Sequence, residues 1–125
     1  MRHEEIIENL IISVMAINNF YLEKAYNLKE KLLKENLFNL ETLKNSSSEQ
    51  LFEKIVKSGY KKSDYVIGLL VDRFKDIGNK LSPSVLDQLL KAVVAKDINS
   101  IEKILLPIHG VGYFVIKNFN SLCEI

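Results

Sequence analysis

Two glycines around one apolar residue, Gly110-Val111-Gly112, carry the most specific chemistry in the chain. They close the stretch Leu105-Leu106-Pro107-Ile108-His109-Gly110-Val111-Gly112, which lies between two helical segments. Glycine lets a backbone turn tightly and approach a partner closely. Val111 is expected to plug into the core and fix the turn. Gly112 is expected to open the last helix, where free N–H groups and the positive end of the helix dipole point outward. A phosphate is the natural ligand of such an end. Contact of this kind positions a protein on a nucleic-acid backbone and reads no bases. His109 either touches a phosphate or caps the helix before it. Tyr113 and Phe114 either stack on bases or belong to the core or a partner contact. A plain helix–helix turn with glycine caps satisfies the same octapeptide equally well.

Other residue groups are less specific. Lys54, Lys57, Lys61 and Lys62 flank Gly59-Tyr60. Lys54 and Lys57 suit the negative end of a helix dipole, whereas Lys61 and Lys62 are better placed for phosphate contacts. Asp72 and Asp76 share a helix face with Arg73 and Lys75 beside them, which reads as a salt-bridged surface rather than an acid/base pair. Cys123 has only Lys117 near it in sequence to activate a thiolate. One cysteine and two isolated histidines, His3 and His109, exclude a disulfide within the chain and imply no metal site and no cofactor.

These residues belong to a chain of 125 residues, long enough for one core and expected to form one domain, 1–125. Hydrophobic residues at 47% and charged residues at 26% exclude a disordered chain. A net charge of +1 lacks the excess of a dedicated nucleic-acid binder, although a local patch suffices for binding. No apolar run reaches the ~18 residues of a membrane span. The acidic start, Met1-Arg2-His3-Glu4-Glu5, does not read as a signal peptide, and the expected compartment is the cytoplasm.

Helical periodicity runs through the whole sequence, and no sustained period-two alternation argues for strands. The expected fold is all-α, with about seven helices. The first spans His3–Asn18, with Ile7, Leu10, Ile11, Val14 and Ile17 as one apolar stripe. Asn18-Asn19 breaks it, and Asn19 is expected to cap a second helix over Phe20–Glu35, with Leu22, Ala25, Tyr26, Leu28, Leu32 and Leu33 inward. A turn and short helix cover Leu37–Leu43. Ser46 with Glu49, or Ser47 with Gln50, has capping-box spacing for the next helix. Its inner face is Leu51, Phe52, Ile55 and Val56, and Gly59 ends it. A long helix follows from Lys62 or Ser63 to about Asn79, in which Gly68 predicts a close helix contact. Ser82-Pro83 starts a helix to Ala95, and Asp97 or Asn99 caps one ending near Leu106. The last runs from Gly112 towards Ile125, so residues 100–124 form a hairpin of helices.

The order of these elements resembles the helix-hairpin-helix superfamily of base-excision DNA glycosylases, of the endonuclease III and archaeal 8-oxoguanine glycosylase type. Three anchors carry the resemblance. One is Leu10–Asn19 followed by Glu23-Lys24-Ala25, similar to the family's opening helix, polar break and second helix. The next is Ile55–Ile67, similar to its glycine-plus-aromatic turn and long helix. The hairpin itself is the last.

The resemblance implies a helical fold like half of a glycosylase, with double-stranded DNA met through His109, Gly110, Val111, Gly112, Tyr113 and Lys117. It places Tyr60 where a residue wedges into the duplex, with Lys61 and Lys62 on phosphates. It also implies lost chemistry. The family's lysine nucleophile matches Phe114, and its catalytic aspartate falls beyond Ile125. Its gap-filling glutamine matches Ala16, and its small residue at the helix crossing matches Ile116.

The expectation is a non-catalytic, degenerate member that binds DNA weakly, as an accessory in repair or processing. A second reading is a helical protein-interaction module with a protein partner or a second copy, favoured by the near-neutral charge and by the aromatics at 113 and 114. A third is half of a split glycosylase completed by a partner chain.

Overall fold

Apolar residues recur at three- and four-residue spacing along nearly the whole chain, and every regular element among the described residues is a helix. The computed structural model describes residues 1–17 and 20–125. It holds α1 (His3–Met15), α2 (Leu22–Tyr26), α3 (Lys29–Lys34), α4 (Leu40–Asn45), α5 (Ser48–Lys57), α6 (Asp64–Lys80), α7 (Pro83–Val94), α8 (Ile98–Leu105) and α9 (Tyr113–Leu122). The expected break at Asn18-Asn19 and the cap at Asn19 lie outside the described residues.

One of the helices beyond the expected seven arises because the expected helix over Phe20–Glu35 is two short ones, joined through Asn27 and Leu28. The first begins at Leu22, not Phe20, and the second ends at Lys34, followed by Asn36 in the left-handed region (φ 61°). Leu37 N–H then donates back to the Leu32 carbonyl (3.0 Å), so the chain turns sharply without a glycine. Of the six residues expected to face inward, Ala25 and Leu32 are buried and Leu22 and Leu28 partly so, while Tyr26 and Leu33 are exposed.

α1 is the hub. It packs against α2, α6, α7 and α9. Its sequence suggests one stripe, yet Leu10, Ile11, Ile12, Ser13, Val14 and Met15 are all buried. A helix enclosed on all sides needs apolar residues on all sides, and the Leu-Ile-Ile-Ser-Val-Met run supplies them. Its one polar side chain, Ser13, donates to the Asn9 carbonyl at 2.6 Å, so no buried donor is left over.

Local capping sets the starts of α4 to α8. Ser47 accepts from Gln50 N–H (3.1 Å) while Gln50 Oε1 accepts from Ser47 N–H (2.8 Å), which selects the second of the two capping boxes. Asn39, Ser63, Ser82 and Asp97 cap α4, α6, α7 and α8 one way only, each side chain accepting the N–H three residues on. Gly59, at φ 90°, ends α5.

The long helix α6 carries α4 and α5. Gly68 was expected at a close crossing, but a Cβ there would meet nothing within 4 Å. The close crossing is at Gly78, where a Cβ would lie 2.7 Å from Lys44 N and 3.1 Å from Leu43 C of α4. Lys75 secures the same contact by donating to the Ser46 carbonyl at 2.8 Å.

Candidate nucleic-acid interface

The hairpin follows from local rules and is then clamped by distant ones. α8 ends through Leu106, and Ile108 N–H and Val111 N–H continue the turn by donating to the Leu105 and Ile108 carbonyls. Gly110 sits at φ 79°, a conformation side-chain-bearing residues rarely adopt. Val111 is 5% exposed, so it does plug into the core. Gly112 takes the N-cap position of α9, and Ile116 N–H closes the first helical bond onto the Gly112 carbonyl.

The clamp comes from α6. Asp76 accepts the His109 backbone N–H at 2.7 Å and lies 3.3 Å from Lys80. Lys80 also donates to the Pro107 carbonyl at 2.8 Å. Arg73 lies flat against Gly110, and a Cβ on that glycine would overlap its Nε, Cδ and Cγ atoms. The Arg73 Nε is buried there without a hydrogen-bond partner. Asp76 therefore braces the turn, a task its spacing with Asp72 does not announce, since the partner lies 33 residues away. The Asp76–Lys80 spacing of four was the only local hint.

At the outer end, Gly112 is exposed, with open space around it. The start of α9 carries no capping side chain, which leaves first-turn N–H groups without an intrahelical acceptor. Tyr113 and Phe114 are 68% and 65% exposed, side by side at this end. Lys117 is exposed one turn further on, and Ile116 is buried at the crossing with α8. His109 has an exposed side chain; its structural contribution is the backbone N–H given to Asp76.

The second anchor divides. Tyr60 is 3% exposed, its hydroxyl donating to the Met15 carbonyl at 3.1 Å and its ring 4.4 Å from that of Phe20. It ties the turn before α6 to the end of α1, so it is a core residue and not a wedge at the surface. Burial pushes its pKa up to about 12, with the positive charge of Arg73 pulling weakly the other way. Lys61 and Lys62 stay at the surface, lining a shallow basic hollow with Lys24, Asn27 and Gly59. Tyr113 and Lys117 line a different groove, between α8 and α9. Lys54 serves the fold, donating to the Glu35 carbonyl at the end of α3 (3.0 Å). The Cys123 thiol is buried and accepts from Asn9 Nδ2 (3.3 Å), and burial pushes its pKa up, away from reactivity.

Among the described residues no group of three or more potential metal ligands converges. Among the described residues no helix is long and apolar enough to cross a membrane. The fold defines the chain as an all-α domain with a braced glycine hairpin near its end. Compared with family models, with curated proteins and with solved structures, the chain matches none.

Proposed function

We propose that the chain is a non-catalytic binder of double-stranded DNA, an accessory in DNA repair or processing that holds the phosphate backbone weakly and without reading sequence. One observation carries this reading: the uncapped first turn of α9 emerges from a glycine turn fixed in place by Asp76, Lys80 and Arg73. N–H groups held in advance lose little freedom when an anion arrives, and the helix dipole favours the negative charge. Lys117, one turn along, adds a phosphate contact. Phe114 stands where catalysis in the resembled glycosylases needs an amine, so binding without chemistry is the reading that fits.

The exposed pair Tyr113 and Phe114 favours a second reading, a protein-interaction module. Adjacent exposed aromatics are common anchors of protein interfaces.

Titrating fluorescent duplex DNA, with and without an abasic site, at low and moderate salt tests both. The first reading expects a Kd of roughly 1–100 µM that weakens steeply with salt. In Gly112→Leu the new Cβ meets nothing within 4 Å, and the side chain it carries stands over the free N–H groups. It should weaken binding about tenfold, while the poorer N-cap lowers the melting temperature by no more than about 2–4 °C. Absence of binding at low salt sinks the first reading. Capture of a protein partner that is insensitive to salt but lost in Tyr113→Ala supports the second.

A further inference from the structure

We infer that the groove between α5 and α6 is a docking site for an amphipathic helix of another protein, one flanked by lysine or arginine. The groove is independent of the hairpin. Its lining comes from α5 and α6 alone, whereas the exposed first turn at the hairpin belongs to α9.

Three observations build it. Its floor is Gly68, the fifth residue of a seventeen-residue helix, with open space where a side chain would stand. Mid-helix glycine weakens a helix, and no packed neighbour explains this one. The space above it, about 520 Å³, opens between Phe52 on α5 and Val71 on α6. Along α5 the apolar face continues one turn on to Val56, 48% exposed, and one turn back along α6 to Tyr65, 75% exposed. Phe52 and Val56 have inner-face spacing on α5, yet Phe52 is only partly buried against the core and Val56 is left exposed, whereas Leu51 and Ile55 are fully buried.

The occupant follows from shape and charge. Two helices lying side by side leave a channel along the ten residues of α5, about 15 Å, which matches two to three turns of a third helix. Anchors at i, i+3 or i+4, and i+7 would enter such a channel, the bulkiest seating over Gly68. Glu49, Glu53 and Asp72 stand on the rim and make no salt bridge among the described residues. Three carboxylates around an apolar floor select basic flanks and repel acidic ones.

The test uses the full chain and two fluorescent peptides of about fifteen residues. Both carry leucines at i, i+4 and i+7; one has lysine flanks and the other glutamate flanks. Fluorescence anisotropy reads affinity, and amide chemical shifts locate the site. The lysine peptide should bind at least about tenfold tighter than the glutamate peptide, with shifts on α5 and α6. Gly68→Leu fills the floor and should weaken binding about tenfold without lowering the melting temperature, while Glu53→Lys should weaken it and flatten its salt dependence. The inference is overturned if neither peptide binds at about 1 mM, if both bind equally, if the shifts fall elsewhere, or if Gly68→Leu binds as well as the parent. Self-association of the chain that Gly68→Leu abolishes would make a second copy the occupant, and that also overturns it. Duplex DNA binding at the hairpin should be unchanged by Gly68→Leu, so the two proposals fail separately.

Discussion

Gly68 and Gly78 stand ten residues apart on α6, and their surroundings differ in kind. At Gly78 the α4 backbone lies where a side chain would be, and the glycine is what lets the two helices meet. At Gly68 nothing approaches, and the glycine leaves a gap between two helices that already touch. The same residue type, in the same helix, marks a closed side and an open side. A mid-helix glycine therefore says only that a side chain was unwelcome; whether backbone or empty groove excludes it depends on elements distant in sequence.

The largest expected effect breaks the closed side. In Gly78→Val the new Cβ would press on Lys44 N and Leu43 C, which are backbone atoms and cannot swing away. Overpacking of this kind costs about 2–3 kcal/mol, more than the modest gain in helix propensity returns. Urea denaturation should show a lowered midpoint at an unchanged slope. A variant as stable as the parent would show that α4 is free to move off α6, and the contrast between the two glycines would disappear.

Tyr60, just before α6 and packed against the end of α1 and Phe20, gives the next effect. Tyr60→Phe removes the hydroxyl that donates to the Met15 carbonyl and should cost about 1 kcal/mol. The substitution also has a pH signature. Burial raises the folded pKa to about 12, above the ordinary value of 10.0, because the charged phenolate is poorly solvated in the core. The folded state thus favours the neutral phenol. That contribution to stability is fully present below pH 10 and is lost as pH rises through 12. Stability measured between pH 9 and pH 12 should fall less steeply in Tyr60→Phe than in the parent. Identical alkaline profiles would mean that the phenol is solvated in the folded chain.

Tyr60 and Tyr113 also show what could and could not be read in the sequence. Both stand beside glycine turns; Tyr113 is a candidate for contact with nucleic acid from its place at the hairpin, and Tyr60 through the family resemblance. One is enclosed by α1 and Phe20 and the other is 68% exposed, a difference made wholly by long-range packing. Features closed within one or two turns were legible: the caps at Ser63, Ser82 and Asp97, the glycine end of α5, and the plug at Val111. Period 3.6 locates the stripe of α5 but does not tell how wide a strip its neighbours cover, so the face on which it sets Phe52 and Val56 is only half closed. The division of the second helix was hidden because neither Asn27 nor Leu28 is a strong breaker. The hairpin's brace was hidden because its donors and acceptors are separated by 27 and 33 residues.

The smallest effect has the opposite sign. Gly68→Ala adds a methyl group into open space and removes the entropic cost of glycine in a helix interior. It should stabilise the chain by about 0.5–1 kcal/mol and raise the melting temperature by about 2–5 °C. Its value lies in the pairing with Gly78→Val: one glycine gains stability when replaced and the other loses it. If Gly68→Ala instead destabilises, the groove is closed in solution by something that the methyl group displaces, and α6 has two closed sides. If it stabilises as expected, the chain carries a correctable weakness at a spot where no neighbour requires it. A stability cost without a packing reason is what an exposed binding surface leaves behind, because what benefits from the gap is not part of the folded chain.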